Sequence, residues 1–106
     1  MASPLWRIRD RRTFRALRAD GSRRRSGPVA VTTLRDDPDT GGAPRLAFAV
    51  GRAVGPAVVR NRLRRQLRAH ARQLDLPAGA YLVNLSPAAA GLPGAALRSH
   101  LEKALP

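Results

Sequence analysis

The sequence contains no cysteine, and this absence excludes several kinds of site at once. Without thiols there can be no disulfide framework, no thiolate zinc site and no cysteine nucleophile, and a reducing compartment suits the chain best. Long apolar runs are missing too. No stretch approaches the roughly 20 residues that cross a bilayer, and the N-terminus lacks the apolar segment and cleavage site of a signal peptide. We therefore expect a soluble, cytoplasmic protein that does not bind membranes.

Acidic residues are scarce. The 106 residues include 7 Asp and Glu against 20 Lys and Arg, which gives a formal net charge of +13. So large an excess on a small protein repels itself, and a polyanionic partner would relieve that repulsion. Nucleic acid is the favoured partner, ahead of an anionic membrane surface. The length suits one domain over residues 1–106, which includes a basic N-terminal segment at residues 1–9.

Aromatic residues are few as well, so the core must consist mainly of Leu, Val and Ala; the four aromatics are Trp6, Phe14, Phe48 and Tyr81. Patterning predicts an α+β fold in the order helix, strands, helix, strand, helix. Asp10 and Gly21 are suited to begin and end the first helix. The basic run at residues 23–25 is either an edge segment of the sheet or a flexible stretch.

The two clearest early strands lie at residues 29–34 and 45–50, and a later strand lies at residues 80–85. A closing amphipathic helix is predicted over residues 93–105. Between the two early strands, three aspartates stand among turn-forming residues: Asp36, Asp37 and Asp39. We interpret them as a solvent loop rather than a divalent-cation site, because nothing nearby completes a rigid ligand shell.

The strongest helix begins after Gly55-Pro56 and is predicted to continue to about Leu74. Val59, Leu63 and Leu67 recur every four residues and form an apolar line along it. Arginines recur at the same spacing on another face, at positions 60, 64, 68 and 72, widened by those at 62 and 65. Like charges at this spacing destabilise an isolated helix by a few tenths of a kcal/mol per pair. A helix face that carries only positive charge, with no acidic residue between the arginines, is typical of phosphate contact rather than of an ordinary solvated surface.

Asn61 stands among these arginines near the positive end of the helix dipole. Its amide could meet a base edge or a 2′-hydroxyl, or it could be a local capping group.

In this segment the sequence resembles the protein component of bacterial ribonuclease P. The likeness is carried by Arg52, Gly55, Ala57 and Val58 and then by the run Arg60-Asn61-Arg62-Leu63-Arg64-Arg65-Gln66-Leu67-Arg68, with all these residues in one register. A looser likeness covers nearly the whole chain. The resemblance implies a four-stranded sheet packed with three helices, in the order α-β-β-β-α-β-α. It also implies a left-handed crossover around the signature helix, against the usual right-handed rule.

The resemblance further implies an accessory subunit of an endoribonuclease that removes the 5′ leader of precursor tRNA. In that family the RNA subunit and its bound Mg²⁺ perform the hydrolysis, so no catalytic residue and no cofactor is expected on the protein. The partners implied are ribonuclease P RNA and precursor tRNA, not DNA. The residues expected to contact the RNA subunit are Arg52, Arg60, Asn61, Arg62, Arg64, Arg65 and Arg68. Arg52 is expected on the strand that leads into the signature helix.

A second surface implied by the resemblance is a cleft between the first helix and the sheet, where the single-stranded leader lies on aromatic residues. Phe14 matches one of these aromatics, although a helical Phe is as readily part of the core. The chain departs from the family pattern at Arg18 and Thr32, which stand where two further aromatics are usual. Arg18 can still stack through its guanidinium plane, whereas Thr32 cannot, so the leader contact is expected to be weaker or more electrostatic.

Three other kinds of protein share some of these features. A nuclease acting without RNA would need carboxylates or histidines gathered at one place. His70 and His100 are far apart in sequence, and both are expected to face solvent or RNA. A small ribosomal protein, or another structural RNA-binding protein, is the stronger alternative, since such proteins share the arginine runs and the small α/β core. A DNA-binding module is weaker, because no two-helix reading unit is evident.

Overall fold

A single mixed sheet forms the centre of the computed structural model, which describes residues 6–35 and 43–106. Its strands are β1 (Trp6–Arg7), β2 (Ser22–Ser26), β3 (Val29–Arg35), β4 (Pro44–Val50) and β5 (Gly79–Leu85). The helices are α1 (Arg11–Asp20), α2 (Ala57–Arg72) and α3 (Gly94–Ala104). Short 3-10 turns lie at Arg52–Val54 and Pro87–Gly91. The predicted acidic loop with Asp36, Asp37 and Asp39 lies outside the described residues.

The strands lie side by side in the order β1-β4-β5-β3-β2. β4 is parallel to both β1 and β5, whereas β3 is antiparallel to β5 and β2. The expected architecture of three helices and four main strands is confirmed. The two-residue β1 was not predicted, because so short a segment carries no period. The left hand of the β4–α2–β5 connection stays a prediction from the resemblance.

The basic run at residues 23–25 belongs to β2, so the edge-strand alternative is correct. β2 and β3 form a hairpin whose two-residue loop is Gly27-Pro28. Gly27 has a positive φ of 54°. A tight hairpin of this kind needs a positive φ at its first loop position, and glycine adopts it without steric penalty.

The two faces of the sheet carry different helices. The larger apolar cluster lies between the sheet and the pair α2 and α3, and it includes Tyr81, Leu63, Leu97 and Leu101, all fully buried. A smaller cluster around Leu17 and Ile8 lies beneath α1 on the other face. As expected, Leu, Val and Ala dominate the buried residues. α2 therefore has an inner side buried against the sheet and α3, and an outer side that faces away from the core.

Candidate nucleic-acid interface

The inner side of α2 is apolar and fully buried. Leu63, Leu67 and Ala71 have no exposed surface, whereas Val59 is only partly buried. The predicted apolar line is therefore present, but Ala71 rather than Leu74 completes it inside the helix, since α2 ends at Arg72. Most of the other α2 positions therefore point away from this core, whereas Gln66 and His70 lie on the side of α3.

The outer side of α2 is strongly basic. We call it the α2 basic face, and it consists of Arg60, Asn61, Arg62, Arg64, Arg65 and Arg68. The helix itself contains no Asp or Glu. Within residues 6–35 and 43–106, no carboxylate forms an ion pair with an arginine of this face. The ion pair between Arg98 and Glu102 lies elsewhere, on α3. The face therefore keeps its full positive charge for an external anion.

Several arginines of this face are held by neighbouring oxygens. Arg60 Nε donates to the Gly55 carbonyl at 3.1 Å, and Arg62 Nη2 donates to the Ala90 carbonyl at 3.2 Å. These contacts leave other N–H groups of each guanidinium for a ligand, because an arginine carries five donors. They also reduce the rotamer freedom that binding would otherwise remove.

Asn61 is not a helix cap. The N-cap position of α2 is Pro56, and Asn61 accepts a hydrogen bond from Arg64 Nη1 at 3.2 Å through Oδ1. The residue is exposed, so its amide NH₂ points toward solvent-accessible surface. Arg52, expected on the strand that leads into α2, instead lies in the 3-10 turn Arg52–Val54, because β4 ends at Val50. It is exposed there.

A cleft between α1 and the sheet brings together the second set of predicted residues. Phe14, Arg18 and Thr32 all line one pocket of about 490 Å³, which we call the α1 cleft. Phe14 is half-buried and Arg18 is exposed. The three side chains thus share one surface, and their role in binding a leader stays a prediction.

The α1 cleft depends on local structure at both ends of α1. At the start, the Asp10 carboxylate accepts hydrogen bonds from the Thr13 N–H at 3.0 Å and from Thr13 Oγ1 at 2.7 Å. These bonds lower the pKa of Asp10. At the end stands Gly21, where an added Cβ would clash with the Leu17 carbonyl oxygen and would lie only 2.6 Å from Thr32 Cγ2. Glycine ends the helix as predicted, but its reason is this close approach, since its φ is −71°.

Two polar residues of the α1 cleft were missed by the sequence analysis. Arg23 and Asn84 both line it, and Arg23 is paired directly with Thr32 across β2 and β3. Facing partners on neighbouring strands project to the same side of a sheet. The Gly-Pro hairpin signal could have given the β2–β3 register, and with it Arg23. Asn84 could not be found in this way, because its place depends on β5 lying next to β3.

The histidines differ from expectation. His70 lies against α3 and is only partly exposed, rather than facing solvent or RNA. Within the described residues, its Nε2 is buried without a hydrogen-bond partner, and so is Oε1 of Gln66 one turn earlier. Burial lowers the pKa of His70, and the nearby Arg98 guanidinium lowers it further. His100 Nδ1 lies 2.9 Å from Ser26 Oγ, which ties α3 to the edge strand β2. Both histidines therefore serve the packing of α3.

Neither a metal cluster nor a membrane helix is evident in the part of the chain that the structure describes. No group of three or more His, Asp and Glu residues there could hold a metal ion. None of the described helices has the length and apolar character needed to cross a membrane.

Comparison with known proteins gives a consistent result. Residues 3–106 match a family model described as Ribonuclease P. The ribonuclease P protein component of Thermobifida fusca is 41% identical over 113 residues, covering 99% of this chain and 77% of the relative. The one from a Nocardioides strain is 39% identical over 108 residues, covering 99% of this chain and 92% of the relative.

Solved structures show the same architecture. An RNase P protein from Staphylococcus aureus has a TM-score of 0.80 at 21% identity, covering 92% of this chain and 89% of that one. The RNase P protein from Thermotoga maritima has a TM-score of 0.77 at 23% identity, covering 91% of both chains. At such low identity, these two structures establish the fold alone.

Proposed function

This chain belongs to the bacterial ribonuclease P protein family, and we propose that its α2 basic face binds the RNA subunit while its α1 cleft binds the 5′ leader of precursor tRNA. The chain is thus a protein component of an endoribonuclease complex, and family membership decides against the ribosomal alternative. Precursor tRNA is processed where it is transcribed, so the bacterial cytoplasm is the proposed location.

The observation that supports RNA-subunit binding is the charge of α2. Six positions on one helix face offer guanidinium or amide donors, and no carboxylate of the described chain neutralises them. Guanidinium groups bind phosphate oxygens in bidentate fashion, and such charge-assisted hydrogen bonds are stronger than neutral ones. The expected partner is a folded RNA whose phosphates lie close to the helix. Arg52 extends this surface from the turn that precedes α2.

Leader binding is supported by the composition of the α1 cleft. Phe14 offers an aromatic surface for one base, and such stacking contributes about 1 to 3 kcal/mol per base. Arg18 and Arg23 stand beside it and offer cations for the phosphates of the same strand. An open cleft of this kind suits single-stranded RNA, whose bases are free to stack on protein side chains. Because Thr32 provides no ring, we expect charge to contribute more here than a row of aromatics would.

The hydrolysis is proposed to belong to the RNA subunit, with Mg²⁺ bound there rather than on the protein. Two acidic side chains of the described chain have structural partners: Asp10 caps α1, and Glu102 pairs with Arg98 at 3.0 Å. The protein would then contribute binding and orientation, which lower the barrier by positioning the substrate.

Reconstitution tests this function. The full chain is combined with a bacterial ribonuclease P RNA and a leader-bearing precursor tRNA at low Mg²⁺, where the RNA alone is slow. We expect cleavage at the mature 5′ end to be stimulated, and no cleavage by the protein without RNA. Cleavage by the protein alone, or a failure to stimulate, would contradict the proposal.

Variants separate the two surfaces. Arg60→Gln with Arg65→Gln should weaken binding to the RNA subunit, whereas Phe14→Leu should weaken only the preference for leader-bearing over leaderless substrate. Binding to the RNA subunit should also fall steeply with salt, since six to ten phosphate contacts lose about three to five decades of affinity between 50 and 200 mM salt on duplex DNA. An affinity that does not change with salt would exclude a phosphate-based interface.

A further inference from the structure

A second pocket lies at the β4 edge of the sheet, beside α2, and neither proposed surface accounts for it. We call it the edge pocket. Its volume is about 410 Å³, and its lining combines an apolar floor with a basic rim: Arg7, Ile8, Leu46, Ala47, Phe48, Arg64, Arg68 and Arg72. No carboxylate is among these residues. One aromatic ring and four arginines therefore line a pocket whose volume is comparable to that of one nucleotide.

The pocket exists because β1 ends early along β4, at Arg7 opposite Leu46. β1 pairs only with Arg45 and Leu46 of β4, and its last contact is the bond from the Ile8 N–H to the Leu46 carbonyl at 3.0 Å. Beyond Leu46 no strand in the described chain covers this edge of β4. Phe48 stands in that uncovered stretch and is only half-buried, so its ring remains accessible at the sheet edge.

The basic rim comes from one line of α2. Arg64, Arg68 and Arg72 recur every four residues, which places them one above another along the helix. Arg64 is held in place by its Nη2, which donates to the Val50 carbonyl at 3.2 Å. Arg7 of β1 is the fourth arginine that lines the pocket. Within the described residues, none of the four forms an ion pair.

We infer that the edge pocket binds a single unpaired nucleotide of the RNA subunit, with its base stacked on Phe48 and its phosphates held by Arg68 and Arg72. The inference rests on the proposed function of the α2 basic face. Arg64 and Arg68 belong to both surfaces, so an RNA strand that contacts α2 passes the mouth of the pocket. Only an unpaired and unstacked base from a loop, a bulge or a strand end could enter, because paired bases have no free face to stack on protein.

Two other sources of a nucleotide fit less well. The leader of precursor tRNA is assigned to the α1 cleft, which lies on the other face of the sheet from α2. A free nucleotide would use the same ring and cations, but it would not gain from the neighbouring phosphate contacts along α2. Continuity with the α2 basic face therefore favours the RNA subunit.

The test measures affinity of the full chain for ribonuclease P RNA, without substrate, across a salt series. Loss of one stacked base corresponds to a loss of affinity of about fivefold to a hundredfold. Phe48→Leu should show a loss in this range with an unchanged salt slope, while Phe48→Tyr, which keeps a ring, should stay near the wild type. Arg72→Gln should weaken binding and reduce the salt slope by about one. Phe14→Leu, a matched change in the α1 cleft, should bind the RNA subunit normally.

Chemical probing of the RNA completes the test. One unpaired nucleotide of the RNA subunit should be protected by the wild type and by Phe48→Tyr, and exposed with Phe48→Leu. Thermal unfolding of each variant verifies that the fold is kept. Wild-type affinity of Phe48→Leu, together with weak binding of Arg60→Gln with Arg65→Gln, would overturn the edge pocket and leave the proposed function intact.

The remaining outcomes are also decisive. Failure of all variants to alter binding would overturn the proposed function itself. If Phe48→Leu lowered only the affinity for leader-bearing substrate, the edge pocket would bind the leader, and the assignment to the RNA subunit would be overturned. Tight binding of a free nucleoside diphosphate, abolished by Phe48→Leu while RNA affinity stays unchanged, would overturn it in favour of a small-molecule site.

Discussion

Arg64 of α2 donates a hydrogen bond from Nη2 to the carbonyl oxygen of Val50, the last residue of β4, at 3.2 Å. The same guanidinium donates to Asn61 Oδ1 through Nη1. Arg64 therefore joins the basic helix to the strand from which the chain enters it, and it lies between the α2 basic face and the edge pocket. Its neighbour Arg65 is exposed and has no such contact within the described residues.

This difference gives a prediction for two adjacent arginines. Arg65→Ala should weaken RNA-subunit binding and leave the free energy of unfolding unchanged. Arg64→Ala should weaken binding and also lower the free energy of unfolding by about 0.5 to 1.5 kcal/mol, the usual contribution of one hydrogen bond. Filter binding and chemical denaturation measure the two effects. Equal stability of the two variants would show that the Arg64–Val50 bond contributes nothing to the fold.

Much of the α2 basic face could be predicted from the sequence because it depends on local periodicity. Residues four apart on a helix share a face, so the apolar line through Leu63 and Leu67 already fixes where the arginines point. The start of α1 was predictable for a similar reason, since Asp10 needs only its own helix to act as a cap.

The rest depends on which strands become neighbours, and the local pattern carries no such information. Asn84 enters the α1 cleft only because β5 lies beside β3. Phe48 is accessible only because β1 stops after two residues, and a two-residue strand shows no period. His70 was wrongly expected to face outward, because the position of α3 against α2 could not be read from the helix itself.

The α1 cleft gives a second prediction. Phe14→Leu keeps apolar volume beneath α1 but removes the ring, so it should lower the affinity for leader-bearing precursor tRNA by about 1 to 3 kcal/mol, the contribution of one stacked base. Affinity for a leaderless substrate should not change. Binding of both substrates to the reconstituted holoenzyme measures this. Phe48→Leu, measured at protein concentrations that saturate the RNA subunit, is the matched control. An equal loss for both substrates with Phe14→Leu would place Phe14 in the core alone.

Gly21 gives a third prediction, through its close approach to the sheet. In Gly21→Ala the new Cβ would clash with the Leu17 carbonyl oxygen and lie 2.6 Å from Thr32 Cγ2, so the last turn of α1 must distort and shift away from β3. Such overpacking destabilises by about 1 to 3 kcal/mol, and the shift should also weaken leader binding. Gly91→Ala is a suitable control, because a Cβ there meets nothing within 4 Å. Similar unfolding curves for the two variants would show that α1 tolerates the shift.

A fourth prediction concerns His70 at the contact between α2 and α3. Its pKa lies below the ordinary value of 6.5, first because burial disfavours the charged ring and second because Arg98 repels it. A backbone contact with Gly94 and the charge of Glu102 oppose these effects without reversing them. The folded protein therefore binds this proton less tightly than the unfolded chain does.

The sign of the pH effect follows from that difference. Stabilisation from neutral His70 is complete above pH 6.5 and is lost as the pH falls below that value toward the lower pKa of the folded state. Chemical denaturation between pH 7.5 and about 5 should show a falling free energy of unfolding for the wild type. His70→Gln cannot titrate and should show a flatter profile. The lower limit keeps the measurement above the range in which Asp10 takes up its proton, since that pKa lies below 3.8. If the free energy of unfolding of both proteins had the same pH dependence, protonation of His70 would not destabilise the α2–α3 contact.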